Sequence, residues 1–128
     1  MNWHTNVSIG ELHWRIATFM ESYGADILPI SHLNKVTRLF FKLSQFRVCS
    51  DQLITWAYFN AEQETLFLRG KFPHDIQYGQ GKKLWVIHAK ISNKLSAFRQ
   101  LRHLSKDNVC RMVINKNNTQ ELRTIKLI

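Results

Sequence analysis

The stretch from Gly81 to Ile114 constrains the fold more than any other part of the chain. A glycine turn leads into Gly81-Lys-Lys-Leu-Trp85-Val-Ile-His88, an apolar, Trp-bearing strand that ends in a histidine. A short polar break follows, then an amphipathic helix over 93–105 and a basic strand over 108–115. Alternation along 84–91 puts Trp85, Ile87, Ala89 and Ile91 on one face, and Leu84, Val86, His88 and Lys90 on the other. A strand this apolar is expected to be central in its sheet. That position shields His88 and makes its pKa respond to its neighbours. Two roles are open to such a histidine. It is either a structural, hydrogen-bonded residue, or a base or proton shuttle that needs an orienting partner within hydrogen-bond reach.

The rest of the chain supplies further elements. Ser8 and Glu11 read as an S-x-x-E capping box, followed by Ile9, Leu12, Ile16, Phe19 and Met20 at helical spacing, with Gly24 as a stop. His13, at the margin of that stripe, reads as a packed structural residue. Val36, Leu39, Phe40 and Leu43 suit a helix over 32–43. Strands are expected at 45–50 and 53–60, joined by an Asp51-Gln52 turn, then a short helix at 61–68 ended by Gly70. Residues 71–83, with Pro73, Gly79 and Gly81, read as a surface loop. An Asn-rich turn at 115–118 leads to a last strand over 120–127. The order ααββαβαββ predicts one α+β domain over 1–128 with a mixed, mostly antiparallel sheet and flanking helices.

Composition narrows the function classes. Eighteen Lys and Arg against nine Asp and Glu give a net charge of +9, a field that attracts nucleic acid, an anionic membrane surface or an acidic protein. Arg99, Arg102 and Lys106 fall at i, i+3 and i+7, and Lys82, Lys83, Lys90, Lys94 and Arg111 extend a basic face for a partner. No RRM, KH, zinc-finger or helix-turn-helix signature accompanies them. No apolar run approaches the roughly 20 residues of a membrane span, and 1–8 lacks the apolar core of a signal peptide, so a cytoplasmic location is expected. The two cysteines, Cys49 and Cys110, read as buried free thiols. No metal-ligand spacing, P-loop, dinucleotide fingerprint or nucleophile elbow occurs, so no metal or bound cofactor is expected.

Four blocks in order resemble the toxin-activating lysine acyltransferases, which activate RTX haemolysins. Ile9-Gly-Glu-Leu-His-Trp14-Arg-Ile-Ala17 is similar to the family's opening L-G-x-x-x-W-L-W-A helix. The run from Pro29-Ile-Ser to Ser44-Gln45-Phe46 is similar to its P-V-S to N-Q-Y stretch. Trp56-Ala57 with Glu62 and Glu64 resembles S-W-A…E-N-E, and Gly81 to His88 resembles G-D-R-x-W-[FIL]-I-D. The resemblance covers about residues 9–116. It implies a GNAT-like fold, and transfer of a fatty acyl group from acyl-carrier protein to lysines of a protoxin-like acceptor. It also implies a cytoplasmic, usually homodimeric protein with acyl-carrier protein as the acyl donor.

The chemistry-bearing positions depart from the family pattern. The family's catalytic Asp matches His88, and its catalytic His falls within Met20 to Asp26, where this chain has none. The family's W-I-A-P-F run is replaced by Ala89-Lys-Ile-Ser, and its C-terminal helical region has no counterpart before Ile128. Two explanations compete. In one, the dyad is exchanged: His88 supplies the imidazole, and Glu21 or Asp26 orients it and stabilises the imidazolium. In the other, catalysis is lost and the scaffold serves as a basic protein- or nucleic-acid-binding module.

Overall fold

A computed structural model describes residues 2–22, 30–69, 79, 81–116 and 119–127. Its elements run α1 (Ile9–Ser22), α2 (Ile30–Leu43), β1 (Phe46–Cys49), β2 (Gln52–Phe59), α3 (Ala61–Leu68), β3 (Lys83–Lys90), α4 (Lys94–Leu104), β4 (Val109–Lys116) and β5 (Thr119–Lys126). The architecture is α+β, with one mixed five-stranded sheet in the order β1-β2-β3-β4-β5. β3 is therefore central, as its apolar sequence predicts. None of the described helices is long and apolar enough to cross a membrane. The chain divides into two compact units, Met1–Thr55 with His88–Ser92, and Trp56–Ile87 with Asn93–Ile128. The expected stops at Gly24 and Gly70, and most of the 71–83 loop, lie outside the described residues.

In the first unit, α1 opens where the Ser8 hydroxyl accepts the Glu11 N–H at 3.1 Å. Only this half of the expected capping box is seen. The Glu11 carboxylate instead accepts from Arg15 Nε at 3.3 Å, one turn along the helix. Leu12, Ile16 and Met20 are buried at four-residue spacing, while Ile9 is exposed. His13 is half-buried, and its Nε2 has no partner among the described residues. α2 buries Val36 and Phe40 and ends with Ser44 at φ 54°. The Gln45 N–H reaches the Phe40 carbonyl at 3.0 Å, closing a Schellman-type cap in which serine stands where glycine is usual. The hairpin β1–β2 pairs Cys49 with Gln52, so its two-residue turn is Ser50-Asp51, one position earlier than the sequence suggests. Ser50 takes φ 53°, the left-handed conformation that such tight hairpins require. The N-terminal segment covers the outer edge of β1: His4 and Val48 exchange two backbone hydrogen bonds of 2.9 Å.

The second unit has firmer punctuation. Asn60 and Gln63 make a complete capping box at the start of α3, with bonds of 2.9 and 2.8 Å. Asn93 caps α4 through the Ser96 N–H at 3.0 Å, and Ala97 and Leu101 are the buried face of that helix. Gly81 donates its N–H to the Tyr58 carbonyl at 2.9 Å. A Cβ at Gly81 would lie 2.0 Å from the Phe59 carbonyl carbon, so only glycine fits this close backbone approach. β3 and β4 run parallel, with Leu84 opposite Cys110 and Trp85 opposite Arg111, and α4 is their crossover. β4 and β5 form a full antiparallel hairpin from Val109↔Lys126 to Lys116↔Thr119. Cys49 and Cys110 are both buried free thiols, as expected, and burial pushes the Cys110 thiol up to about 12.

Candidate functional site

His88 lies in the first unit, near the end of β3, and is 5% exposed. Its orienting partner is Thr55 of β2. The Thr55 hydroxyl oxygen accepts the His88 backbone N–H at 3.0 Å and lies 2.7 Å from Nδ1. Which atom donates in the Thr55–Nδ1 bond is set by the imidazole tautomer, since the hydroxyl can either donate to Nδ1 or accept from it. Two rings close on the imidazole edge-on: Phe19 of α1 at 5.6 Å and Phe40 of α2 at 5.9 Å between centroids. Burial lowers the His88 pKa from 6.5 to about 4, because the charged form cannot be hydrated there. At neutral pH His88 is thus an uncharged imidazole held by Thr55.

The carboxylates expected to orient it are placed differently. Glu21 sits near the end of α1 and is exposed. It is two residues from Phe19, and residues two apart do not share a helix face. No carboxylate is a partner of His88 among the described residues, and Asp26 lies outside them. The position Glu21 or Asp26 was expected to fill is held by a neutral hydroxyl.

Phe19 has a second role. With Trp14 and Leu53 it walls a groove of about 290 Å³ in the same unit, rimmed by Arg15, Asp51 and Lys90. Trp14 is 63% exposed, which is unusual for so large an apolar side chain. Lys90 lies 3.9 Å from Asp51 across the rim. Lys90 is two residues beyond His88 on the same strand face, and Phe19 lies between the groove it lines and the buried imidazole, which does not itself line the groove.

The basic residues assigned to a partner fall into two sets. Four are bonded within the second unit. Lys83 donates to Glu64 at 2.9 Å, beside the Trp85 indole, which donates to the same carboxylate at 2.7 Å. Arg111 donates to Asp107 at 2.8 Å and approaches Glu64 at 3.7 Å; burial pushes the Asp107 carboxyl up, but the Arg111 hydrogen bond and charge, with hydrogen bonds from the Val109 N–H and the Ser105 hydroxyl, together hold it below the usual range. Arg102 Nε donates to the Leu127 carbonyl at 2.8 Å. Lys106 lies 4.4 Å above the Tyr58 ring and donates to the Gly81 carbonyl at 3.4 Å. Lys106 also falls outside α4, so the expected i, i+3, i+7 stripe is not continuous. The helix ends at Leu104 because Ser105 turns extended, and its hydroxyl is used by Val109 on both sides, as acceptor and donor. Lys82, Lys94 and Arg99 are exposed and have no side-chain partner among the described residues.

Thr55 and the structural use of Glu64 were invisible in sequence. A threonine within an apolar strand is an ordinary strand residue, and pairing with a distant histidine depends on tertiary register. No group of three or more His, Cys, Asp or Glu among the described residues could hold a metal ion. Neither a protein-family model nor a curated protein sequence matches this chain.

Proposed function

We propose that this chain is an acyltransferase-like protein of GNAT-like fold, resembling those that move a fatty acyl group from acyl-carrier protein to protein lysines, with altered catalytic residues. The observation that carries the reading is the pre-set imidazole: His88 is buried, neutral and held by Thr55, behind the apolar wall of a groove. The parallel β3–α4–β4 crossover beside antiparallel β1–β2 supports the fold assignment. In the reaction, a lysine amine attacks the thioester carbonyl. A C–N bond forms, the C–S bond breaks, the carrier thiolate leaves and the amine proton passes to solvent. His88 supplies a neutral imidazole to the oxygen that gains charge, a contact that requires Phe19 to move from between the groove and the ring. Thr55 is its positioning residue.

A second reading has its own support. His88 has no carboxylate partner among the described residues, and Lys82, Lys94 and Arg99 are exposed without one. These features fit a module that binds an acidic protein or nucleic acid and does no chemistry.

Mass spectrometry after incubation with long-chain acyl-carrier protein and a cell lysate separates the two. Acyl-lysine products with wild type, lost in a folded His88→Gln variant, are the expected result. No transfer by wild type, with a co-purifying acidic protein or nucleic acid instead, would establish the binding module. Steep weakening with added salt would identify nucleic acid.

A further inference from the structure

We propose that the groove beside α1 is a binding site for a small aromatic carboxylate, which stacks on Trp14 and sets its anionic group between Arg15 and Lys90. The groove lies wholly within the first unit, lined by α1, the β1–β2 hairpin and the end of β3. Its volume of about 290 Å³ is at the small end for ligand pockets, a size that suits a fused ring with a single acidic group. Trp14 is the anchor. Trp3, Trp56 and Trp85 are buried, and the Trp85 indole is already used, on Glu64 and against Phe59 and Phe67. Trp14 is largely exposed, and its ring and N–H have no partner among the described residues. Phe19 supplies a second ring and Leu53 the remaining apolar wall. Two aromatic walls favour a planar ligand, because offset or edge-on ring pairs add to simple apolar burial.

The rim selects the polar end of the ligand. Arg15 and Lys90 set two cations against the single carboxylate of Asp51, so the groove carries an excess of positive charge. Among the described residues the Arg15 guanidinium bonds only through Nε, to Glu11, and its other N–H groups are available to a carboxylate. Lys90 lies 3.9 Å from Asp51, beyond hydrogen-bond length, and both side chains are exposed. An incoming anion displaces so loose a pair at little cost. Recognition therefore combines a flat apolar body with one negative charge, and an uncharged ring or a charged but flexible chain satisfies only half of it. Such a ligand stands in front of Phe19 on the side away from His88. Its binding does not depend on acyl transfer, and an aliphatic acyl chain is its rival for the same space.

Calorimetric titration of the purified chain with naphthoate tests the site, with tryptophan fluorescence as a second readout. Wild type is expected to bind saturably and to show quenching that disappears in Trp14→Ala. That variant removes an exposed side chain and should weaken binding about tenfold. Arg15→Gln and Lys90→Gln should each weaken naphthoate about fivefold and leave the weaker binding of uncharged naphthamide unchanged. Lys94→Gln removes an exposed lysine of the second unit and should change nothing, which separates the groove from the general positive charge. Decanoate carries the same charge on a flexible chain and should bind about tenfold less tightly than naphthoate. Thermal melts verify that each variant is folded. No saturable binding of naphthoate by wild type at millimolar concentration would overturn the proposal. So would equal binding by Trp14→Ala, or naphthamide binding as tightly as naphthoate. Decanoate binding as tightly as naphthoate would also overturn it and would assign the groove to aliphatic chains.

Discussion

In the unit that carries α1 and α2, the buried titratable group is a neutral imidazole bonded to a neutral hydroxyl and enclosed by Phe19 and Phe40. In the unit that carries α3 and α4, the Glu64 carboxylate gathers Lys83, the Trp85 indole and Arg111. Both arrangements satisfy polar groups away from water, but they respond to different perturbations. The imidazole is stable only while uncharged, so pH is its weak point. The carboxylate cluster is stable only while its charges are matched, so loss of one partner is its weak point.

That contrast can be broken most forcefully at Glu64. Glu64→Ala leaves Lys83, Arg111 and the Trp85 N–H without their shared acceptor. It should cost about 3 kcal/mol in chemical denaturation, the low end for a broken buried pair because the cluster is only partly enclosed. A loss below about 1 kcal/mol would mean that the cluster is solvated and the contrast false.

Acid comes next. The folded pKa of His88 is depressed from 6.5 to about 4, so the unfolded chain takes up the proton first. His88 therefore imposes no linkage penalty above pH 6.5, and stability falls as pH drops from 6.5 towards 4. The loss amounts to at most about 3 kcal/mol. The difference between wild type and His88→Gln in pH-dependent melts isolates this slope. Equal slopes in the two proteins would contradict a buried, neutral imidazole.

Thr55→Val sharpens the same comparison with a smaller effect. It strands Nδ1 and the His88 N–H and should cost about 2 kcal/mol. Imidazole nitrogen NMR should report one dominant tautomer in wild type, fixed by the Thr55 contact, and lose that preference in the variant.

The smallest effect lies at the end of α2. Ser44 holds a left-handed backbone, and Ser44→Gly should add about 0.5 kcal/mol to the melting stability of the first unit.

The element order was legible because each segment satisfies a local rule. Leu12, Ile16 and Met20 repeat at helical spacing, and Val36 and Phe40 do the same in α2. Gly81 marks a place where backbone meets backbone, and a glycine before an apolar strand is a local signal. The apolar run from Leu84 to Ile87 requires cover on both faces, which only an interior strand receives. Partnerships were less legible. Ser8 and Glu11 have the spacing of a capping box, yet Arg15 competes for the carboxylate. Arg102, Lys106 and Arg111 read as surface charge, yet they hold a terminal carbonyl, an aromatic ring and Asp107.

Local pattern was enough to place the nine elements of the described residues in order, to bury His88 and to give the excess of positive charge. These follow from periodicity, capping residues and composition, which act over a few neighbouring residues. What each polar side chain meets came from packing across the fold. It set Thr55 against His88 across 33 residues of chain, Glu64 against Trp85 across 21, and Arg102 against Leu127 across 25. The physical reason is register. A hydrogen bond requires an approach of about 3 Å and a defined angle, and strand pairing and helix packing set both over separations that no local pattern encodes.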